Sequence, residues 1–448
     1  MARRVLSRAL QVWSNGARMG EWRIAARGTT EFVYDPSWVA SGEAWPLSLS
    51  LPLEFEGRLL SGPQVGFYFD NLLPDNDAIR RRLRERFHAR SDEAFDLLEA
   101  IGRDCVGAVQ LLQDLEPPRN IFGIDAEPLD EAGIERLLVA TVTDNPFGRA
   151  GVDEVEGPRI SIAGAQEKTA LTSHAGRWCL PRGATPTTHI FKLPLGLVGN
   201  RGVDMSSSVE NEWLCAQLLA AYGVPVAACE IGRFGTQKAL IVERFDRHLH
   251  ASGNYWLRLP QEDFCQATGT PASAKYESEG GPGLLDIARI LQGSAARDSD
   301  LATLMRAQLL FWMLAAIDGH AKNFSLRLEA QGRYRLTPLY DVLSAWPAEG
   351  RGPAQWDRHR MKLALALRGK NKHYHLQQIE RRHFNQTARR CGMGADMEGI
   401  IAEVIERTPA VIEQVGAALP ADFPGRVFDA VTRGMRLMAE RLAAMPAV

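Results

Sequence analysis

The 448-residue sequence contains no Cys-x2-Cys pair, and its six cysteines, Cys105, Cys179, Cys215, Cys229, Cys265 and Cys391, are scattered. Their spacing excludes the common zinc frameworks and points to a reducing compartment, with the thiols serving as small core residues. Long apolar runs are also missing. The longest, Leu309 to Ile317, is about half of a membrane span. The basic start, MARRVLSRALQVW, lacks the apolar core of a secretory signal, so a cytoplasmic protein with no membrane partner is expected. Nor is there an excess of one charge: 52 Lys and Arg against 54 Asp and Glu leave a net charge of -2. That balance gives no global attraction to nucleic acid, so any such contact must come from local patches. Internal repeats and low-complexity tracts are absent, and the length suits one large or two medium-sized domains, each able to bury its own core.

What is present is organised around FWMLAAIDGHAKN, Phe311 to Asn323, where an apolar helical run breaks into a polar loop. Asp318 and Asn323 have the Asp-x4-Asn spacing of a kinase catalytic loop, in which the Asp takes the acceptor's proton and the Asn reaches magnesium. The pair alone is a weak signal, so the other parts of a phosphoryl-transfer site must accompany it. Apolar residues from Leu301 to Ile317 recur at helical spacing and predict a buried helix that delivers Asp318. His320 and Lys322 lie beside the Asp, and Lys322 suits charge neutralisation at a transferring phosphoryl group. A hairpin, Phe324 to Leu328 and Tyr334 to Leu336, then returns to Tyr340 and Asp341, and Asp341 can share the metal with Asn323.

Upstream, Val5 to Trp13 and Gly20 to Tyr34 read as strands broken by Asn15-Gly16 and Gly28. SLSLPL alternates as an edge strand would. In the helix IRRRLRERFHAR, Ile79, Leu83 and Phe87 form one stripe amid arginines, either a solvated face or a docking surface for an acidic partner. A Pro-rich break at Glu116-Pro117-Pro118 and a helix around Glu131 to Thr141 mark a hinge region up to Pro158. Small residues between strand-like pieces, Arg159 to Ile162 and Thr169 to Thr172, form a turn that is either a phosphate cradle or a plain hairpin. Lys192, on the strand THIFKLP, is either an ordinary edge lysine or, on a face covering a nucleotide, one that would pair its phosphates. Ser207-x-x-Glu210 reads as a capping box that leaves Glu212 to meet that lysine, although Glu210 is not excluded. The strand ALIVERFDR either brings the backbone of Glu243 to Phe245 to where an adenine edge could bond or simply leaves the core. Helices are expected at Pro260 to Gln266 and Leu284 to Leu291.

The runs ISIAGAQEKTAL, TPTTHIFKLP, ERFDR, LRLPQEDFCQATG, KYESEGGPG, DGHAKNFS and LTPLYDVLSAWP closely resemble the HipA family of serine/threonine kinases, the toxins of bacterial toxin–antitoxin modules. SLSLPL and FYFDNLLPD resemble that family's N-terminal subdomain, and the region after about Leu367 matches least. The resemblance implies an α+β fold: a two-lobed protein-kinase-like core with a β-rich N-terminal subdomain and a mainly helical C-terminal lobe. Boundaries are expected at 1–115, 116–245 and 246–448. ATP and Mg2+ are the implied cofactors, and the implied substrate is a translation protein, an aminoacyl-tRNA synthetase such as glutamyl-tRNA synthetase. Asp318 matches the catalytic base, Asn323 and Asp341 the metal ligands, and Lys192 the phosphate lysine. Ala163, Gly164, Ala165, Gln166, Glu167, Lys168, Glu243, Arg244, Phe245, His320, Ala321, Lys322, Asn323 and Tyr340 match nucleotide-binding segments. Ser161 matches the serine whose autophosphorylation switches the kinase off. The implied partner is a HipB-like helix-turn-helix antitoxin that carries the toxin onto operator DNA. The basic cluster Lys370 to His375 with Arg381-Arg382-His383 would touch DNA phosphates beside it, or is solvated surface.

Overall fold

A computed structural model describes residues 8–55, 57–142, 160–164 and 166–447, arranged as two compact units. The first seven residues, the last part of the expected hinge, Arg159 and the candidate Ala165 lie outside the described residues. The first unit comprises the described residues up to Leu193, Gly232–Ser273 and Arg327–Arg333; the second comprises Pro194–Ile231, Ala274–Leu326 and the chain from Tyr334 onward.

In the first unit the Asn15-Gly16 hairpin forms as its turn residues dictate. Strands Arg8–Ser14 and Ala17–Ile24 pair antiparallel around Asn15 (φ 45°) and Gly16 (φ 85°), the positive angles of a primed turn. Thr30–Tyr34, Leu59–Ser61 and Gln110–Leu112 extend them to a five-stranded sheet. Helix Pro63–Asp70 lays Phe69 on Trp22, with stacked ring centroids 4.0 Å apart, at the centre of an aromatic core. A second sheet runs from the strand ending at Phe234 through Gln237–Glu243, His189–Lys192, Lys168–His174 and Arg177–Pro181 to Ala126–Pro128. Helix Glu131–Val142 seals one face of it with Ile134, Leu137 and Leu138 against Leu171, Phe191 and Ile241. The alternation along THIFKLP therefore holds, because Phe191 and Leu193 enter this core.

SLSLPL is not an edge strand. Ser48 and Leu51 bridge each other across a tight turn, and the Tyr34 hydroxyl accepts from Leu47 N (2.6 Å) and donates to Leu51 O (2.5 Å). Buried Glu262 accepts from Leu49 N at 2.9 Å and from the Ser48 hydroxyl. Side chains thus satisfy the main-chain groups that a strand would offer to a ladder. The helix expected from Pro260 begins later: Gln261–Asp263 is extended, and Asp263 caps a short helix, Phe264–Thr268, by accepting from Gln266 N at 2.8 Å.

The second unit is mainly helical, built on Ser208–Ala221, Leu284–Leu291, Arg297–Leu314, Arg381–Arg390, Glu398–Ala417 and Gly425–Ala444. Helix Arg297–Leu314 is buried almost all round from Leu304 onward, as its apolar run requires. It stops at Leu314 rather than Ile317, because Ala315 turns left-handed (φ 49°). Its last carbonyls are taken by the Ser344 hydroxyl (to Leu314 O, 2.6 Å) and the Trp346 indole (to Met313 O, 2.9 Å). Among the described residues no helix is long and apolar enough to cross a membrane. Cys105, Cys179, Cys215, Cys265 and Cys391 are buried and Cys229 is half-buried.

Candidate active site

Four residues beyond the helix end, Asp318 stands exposed at the head of a loop that its own backbone tightens. His320 N donates to Asp318 O (2.8 Å) and Asn323 N to His320 O (2.9 Å), which winds Ala321–Asn323 into a 3-10 turn. Gly319 is required here, since a Cβ would lie 2.6 Å from the Phe311 ring. Ala321, Lys322 and Asn323 are buried, as is His320, so of this loop it is Asp318 that faces solvent.

Asn323 and Asp341 come together as their spacing suggests. The Asn323 amide donates from Nδ2 to Asp341 O at 3.0 Å, while its Oδ1 is buried with no hydrogen-bond partner among the described residues. An orphaned acceptor of this kind fits a cation ligand, and Asp341, a non-glycine residue at φ 61°, is held in a costly left-handed conformation beside it. Two anchors account for that conformation. Leu339 bridges Val226, with Leu339 N to Pro225 O and Ala227 N to Leu339 O both at 2.8 Å, and Asn211 exchanges two hydrogen bonds with the Ser344 backbone (2.8 and 2.9 Å). The Tyr340 hydroxyl donates to Lys322 O at 2.9 Å and meets Ser325 Oγ at 2.5 Å, joining the Asp341 segment to the loop that carries Asp318 and Asn323.

Sequence reasoning gave no role to Tyr276, whose hydroxyl donates to Asp318 Oδ1 at 2.5 Å. Its run, KYESEGGPG, was legible only as part of a resemblance, because nothing in the spacing pairs it with Asp318.

In the first unit, Ser161 lies fully buried on Ile160–Ser161, which pairs in parallel with Asp104–Cys105 and not with Lys168–His174. The small-residue stretch is therefore not a hairpin turn, because its flanking strands belong to different sheets. Ser161 Oγ donates to Leu72 O (2.8 Å), and Asp75 N donates to Gly164 O (3.3 Å). Gly164 adopts φ 111°, Lys168 Nζ donates to Ala163 O (2.5 Å), and Gln166 Nε2 to Leu193 O (2.5 Å). Glu167 is ion-paired with Arg82 of helix Asp77–Arg86, and Arg80 of that helix pairs with Asp70 at 2.7 Å. Part of the arginine-rich face is thus neither solvated nor vacant for an acidic partner but holds this loop.

Lys192 is buried on its strand, and Glu210 and Glu212 are both buried on helix Ser208–Ala221. The capping box is not formed. Ser207 sits at ψ 19°, short of the extended geometry that aims its hydroxyl at the first turn, and its side chain makes no capping bond. Arg244 of the Glu243–Phe245 segment is buried. Its N–H donates to Thr188 O (2.9 Å), and its side chain enters a buried ion cluster of Asp104, Asp246, Arg244, Arg247 and Arg258. Burial would push the Asp104 carboxyl up, yet the guanidiniums of Arg247, Arg244 and Arg258 outweigh it and hold the group well below the usual carboxylate range. Arg244 and Arg247 each donate to Cys105 O at 2.9 Å, so the cluster braces the strand on which Ser161 pairs. The charges closing ALIVERFDR were the available signal for it. Of the basic cluster, Lys372 pairs with buried Glu277 (3.1 Å), Arg381 with Glu398, and Arg382 with Glu380 (2.8 Å).

The family described as the HipA-like C-terminal domain matches residues 160–412, and the HipA N-terminal domain matches residues 10–112. A putative kinase, Y4mE of Sinorhizobium fredii, is 34% identical over 80% of this chain and 82% of its own. The serine/threonine-protein kinase toxin HipA of Shewanella oneidensis is 31% identical over 73% and 72%. In a solved complex of Shewanella oneidensis HipA, HipB and operator DNA, one chain aligns over 97% of this chain and 98% of its own, with TM-score 0.77 and 22% identity, which shows a shared two-lobed α+β kinase-like fold. On these matches the chain belongs to the HipA family of kinase toxins.

Proposed function

We propose that this chain is an ATP-dependent serine/threonine protein kinase and the toxin of a toxin–antitoxin module, phosphorylating a translation protein of the aminoacyl-tRNA synthetase class and so arresting growth. The observation that carries the reading is the group of an exposed Asp318, an Asn323 whose Oδ1 is buried and orphaned, and a left-handed Asp341 bound to Asn323. Asp318 would take the proton of the acceptor hydroxyl. Asn323 and Asp341 would hold Mg2+, which when bound neutralises charge on the ATP phosphates. Lys192 would pair those phosphates, with Lys322 beside the transferring group. The loop Ala163, Gly164, Gln166, Glu167 and Lys168 would offer its backbone to them, and Ser161 would be the site of self-inactivation. The first 115 residues would form an N-terminal subdomain, a reading supported by the match of the HipA N-terminal domain over residues 10–112. A HipB-like antitoxin and, through it, operator DNA are the proposed partners, by analogy with the Shewanella complex.

The test is labelled-ATP phosphorylation of a cognate lysate, with mass spectrometry of the labelled band. Asp318→Gln should lower transfer about 10²–10⁴-fold, the usual cost of losing a positioned base, with ATP affinity nearly unchanged. Full transfer by that variant would sink the assignment.

A further inference from the structure

The hydrogen bond from the Tyr276 hydroxyl to Asp318 Oδ1 lies on the solvent side of the loop, where an acceptor hydroxyl must approach the carboxylate. The bond is built from both sides. Tyr276 sets its ring edge-on to His320, with centroids 5.1 Å apart and planes at 85°. Lys275 O accepts from Ala321 N at 3.3 Å, so the residue before Tyr276 is tied to the turn after Asp318. On the other side, the buried Glu277 carboxylate accepts from Ala366 N (2.7 Å) and pairs with Lys372 Nζ (3.1 Å). Gly281 N donates back to Tyr276 O at 3.0 Å, and a Cβ on Gly281 would lie 1.9 Å from Ala274 O, so the chain returns against its own backbone. A tyrosine held by its neighbours on both sides cannot easily leave its partner.

We infer that Tyr276 is a positioning residue for the base: its hydroxyl fixes the Asp318 carboxylate in one rotamer and stabilises its charged form, so that the acceptor hydroxyl meets a carboxylate already aimed and ionised. The inference rests on the reading of Asp318 as the base. A phenolic O–H donating to a carboxylate favours the ionised state, and a base held in one rotamer makes no entropic payment at the moment of transfer.

The test uses the purified full chain with magnesium and labelled ATP, measuring single-turnover transfer to the chain itself and to a cognate lysate for wild type, Tyr276→Phe and Asp318→Asn. Tyr276→Phe keeps the ring against His320 and removes only the hydroxyl. It should slow transfer about tenfold at saturating ATP, leave ATP affinity and the thermal midpoint unchanged, and move the acid limb of the pH–rate profile upward. A purely structural tyrosine would not move that limb. If Tyr276→Phe transfers at the wild-type rate with an unmoved limb while Asp318→Asn is inactive, the inference falls and the kinase reading stands. If wild type and Asp318→Asn are alike in transferring nothing, the kinase reading falls and takes this inference with it.

Discussion

Single residues in this protein act through what surrounds them, and Glu262 shows it outside the candidate site. Burial pushes its carboxyl up to about 8, against the lowering effect of the Ser48 hydroxyl and Leu49 N. Neutral Glu262 can still accept from Leu49 N (2.9 Å) and from the Ser48 hydroxyl, which also lies 3.1 Å from Gln266 O. The folded state therefore keeps a proton that the unfolded chain releases near its ordinary 4.5, so this contribution to stability is complete below about 4.5 and lost as pH rises through about 8. Glu262→Gln, which copies the protonated form, should flatten that slope and stabilise the protein above pH 8 by up to roughly 5 kcal/mol. Urea midpoints taken across this window check it, and a variant with the wild-type slope would show that Glu262 does not titrate there. The same dependence on surroundings hid Tyr276 from sequence reading, whereas Asp318 and Asn323 share one loop and their spacing survives translation into space.

Among the elements, the strand Ile160–Ser161 shows how far local pattern reaches. The small-residue turn was visible in sequence. Its pairing with Asp104–Cys105 was not, because a parallel partner some fifty residues upstream leaves no local trace. The outcome bears on the proposed self-inactivation. Ser161 is buried and bonded to Leu72 O, so it can accept a phosphoryl group only after the strand leaves its place, and a group carrying about -1.5 to -2 charges could not return there. Ser161→Ala should abolish labelling of the chain itself and cost about 0.5–1.5 kcal/mol of stability, from the lost bond to Leu72 O. Intact-mass spectra after incubation with magnesium and ATP decide the first point; phosphate found only elsewhere in the chain would refute Ser161 as the switch. The apolar helix was legible from its periodicity, but its end at Leu314 depends on Ser344 and Trp346, which no local rule connects to it.

For the whole molecule, charge governs the expected behaviour with DNA. The net charge is -2, and Arg80, Arg82, Lys372, Arg381 and Arg382 all spend charge on carboxylates of this chain. Isolated protein should therefore bind operator DNA weakly at physiological salt, since each neutralised phosphate needs an available cation. Electrophoretic shifts with and without the proposed HipB-like antitoxin test this, and tight, sequence-specific binding by the chain alone would contradict it. By itself the sequence determined the helix that leads to Asp318 and the strand carrying Lys192, and it put Asp318 and Asn323 on one loop, because each depends on periodicity or on spacing within a short span; the α+β class came from the resemblance of longer runs to a family. Tertiary structure decided where the arginines of helix Asp77–Arg86 spend their charge, that Arg244 belongs to a buried ion cluster, that SLSLPL folds as a turn around the Tyr34 hydroxyl, and that Tyr276 reaches Asp318. Each of these rests on a side chain meeting a group distant in sequence, and a partner at that separation is selected by packing and by the cost of leaving buried polar groups unpaired, neither of which local pattern encodes.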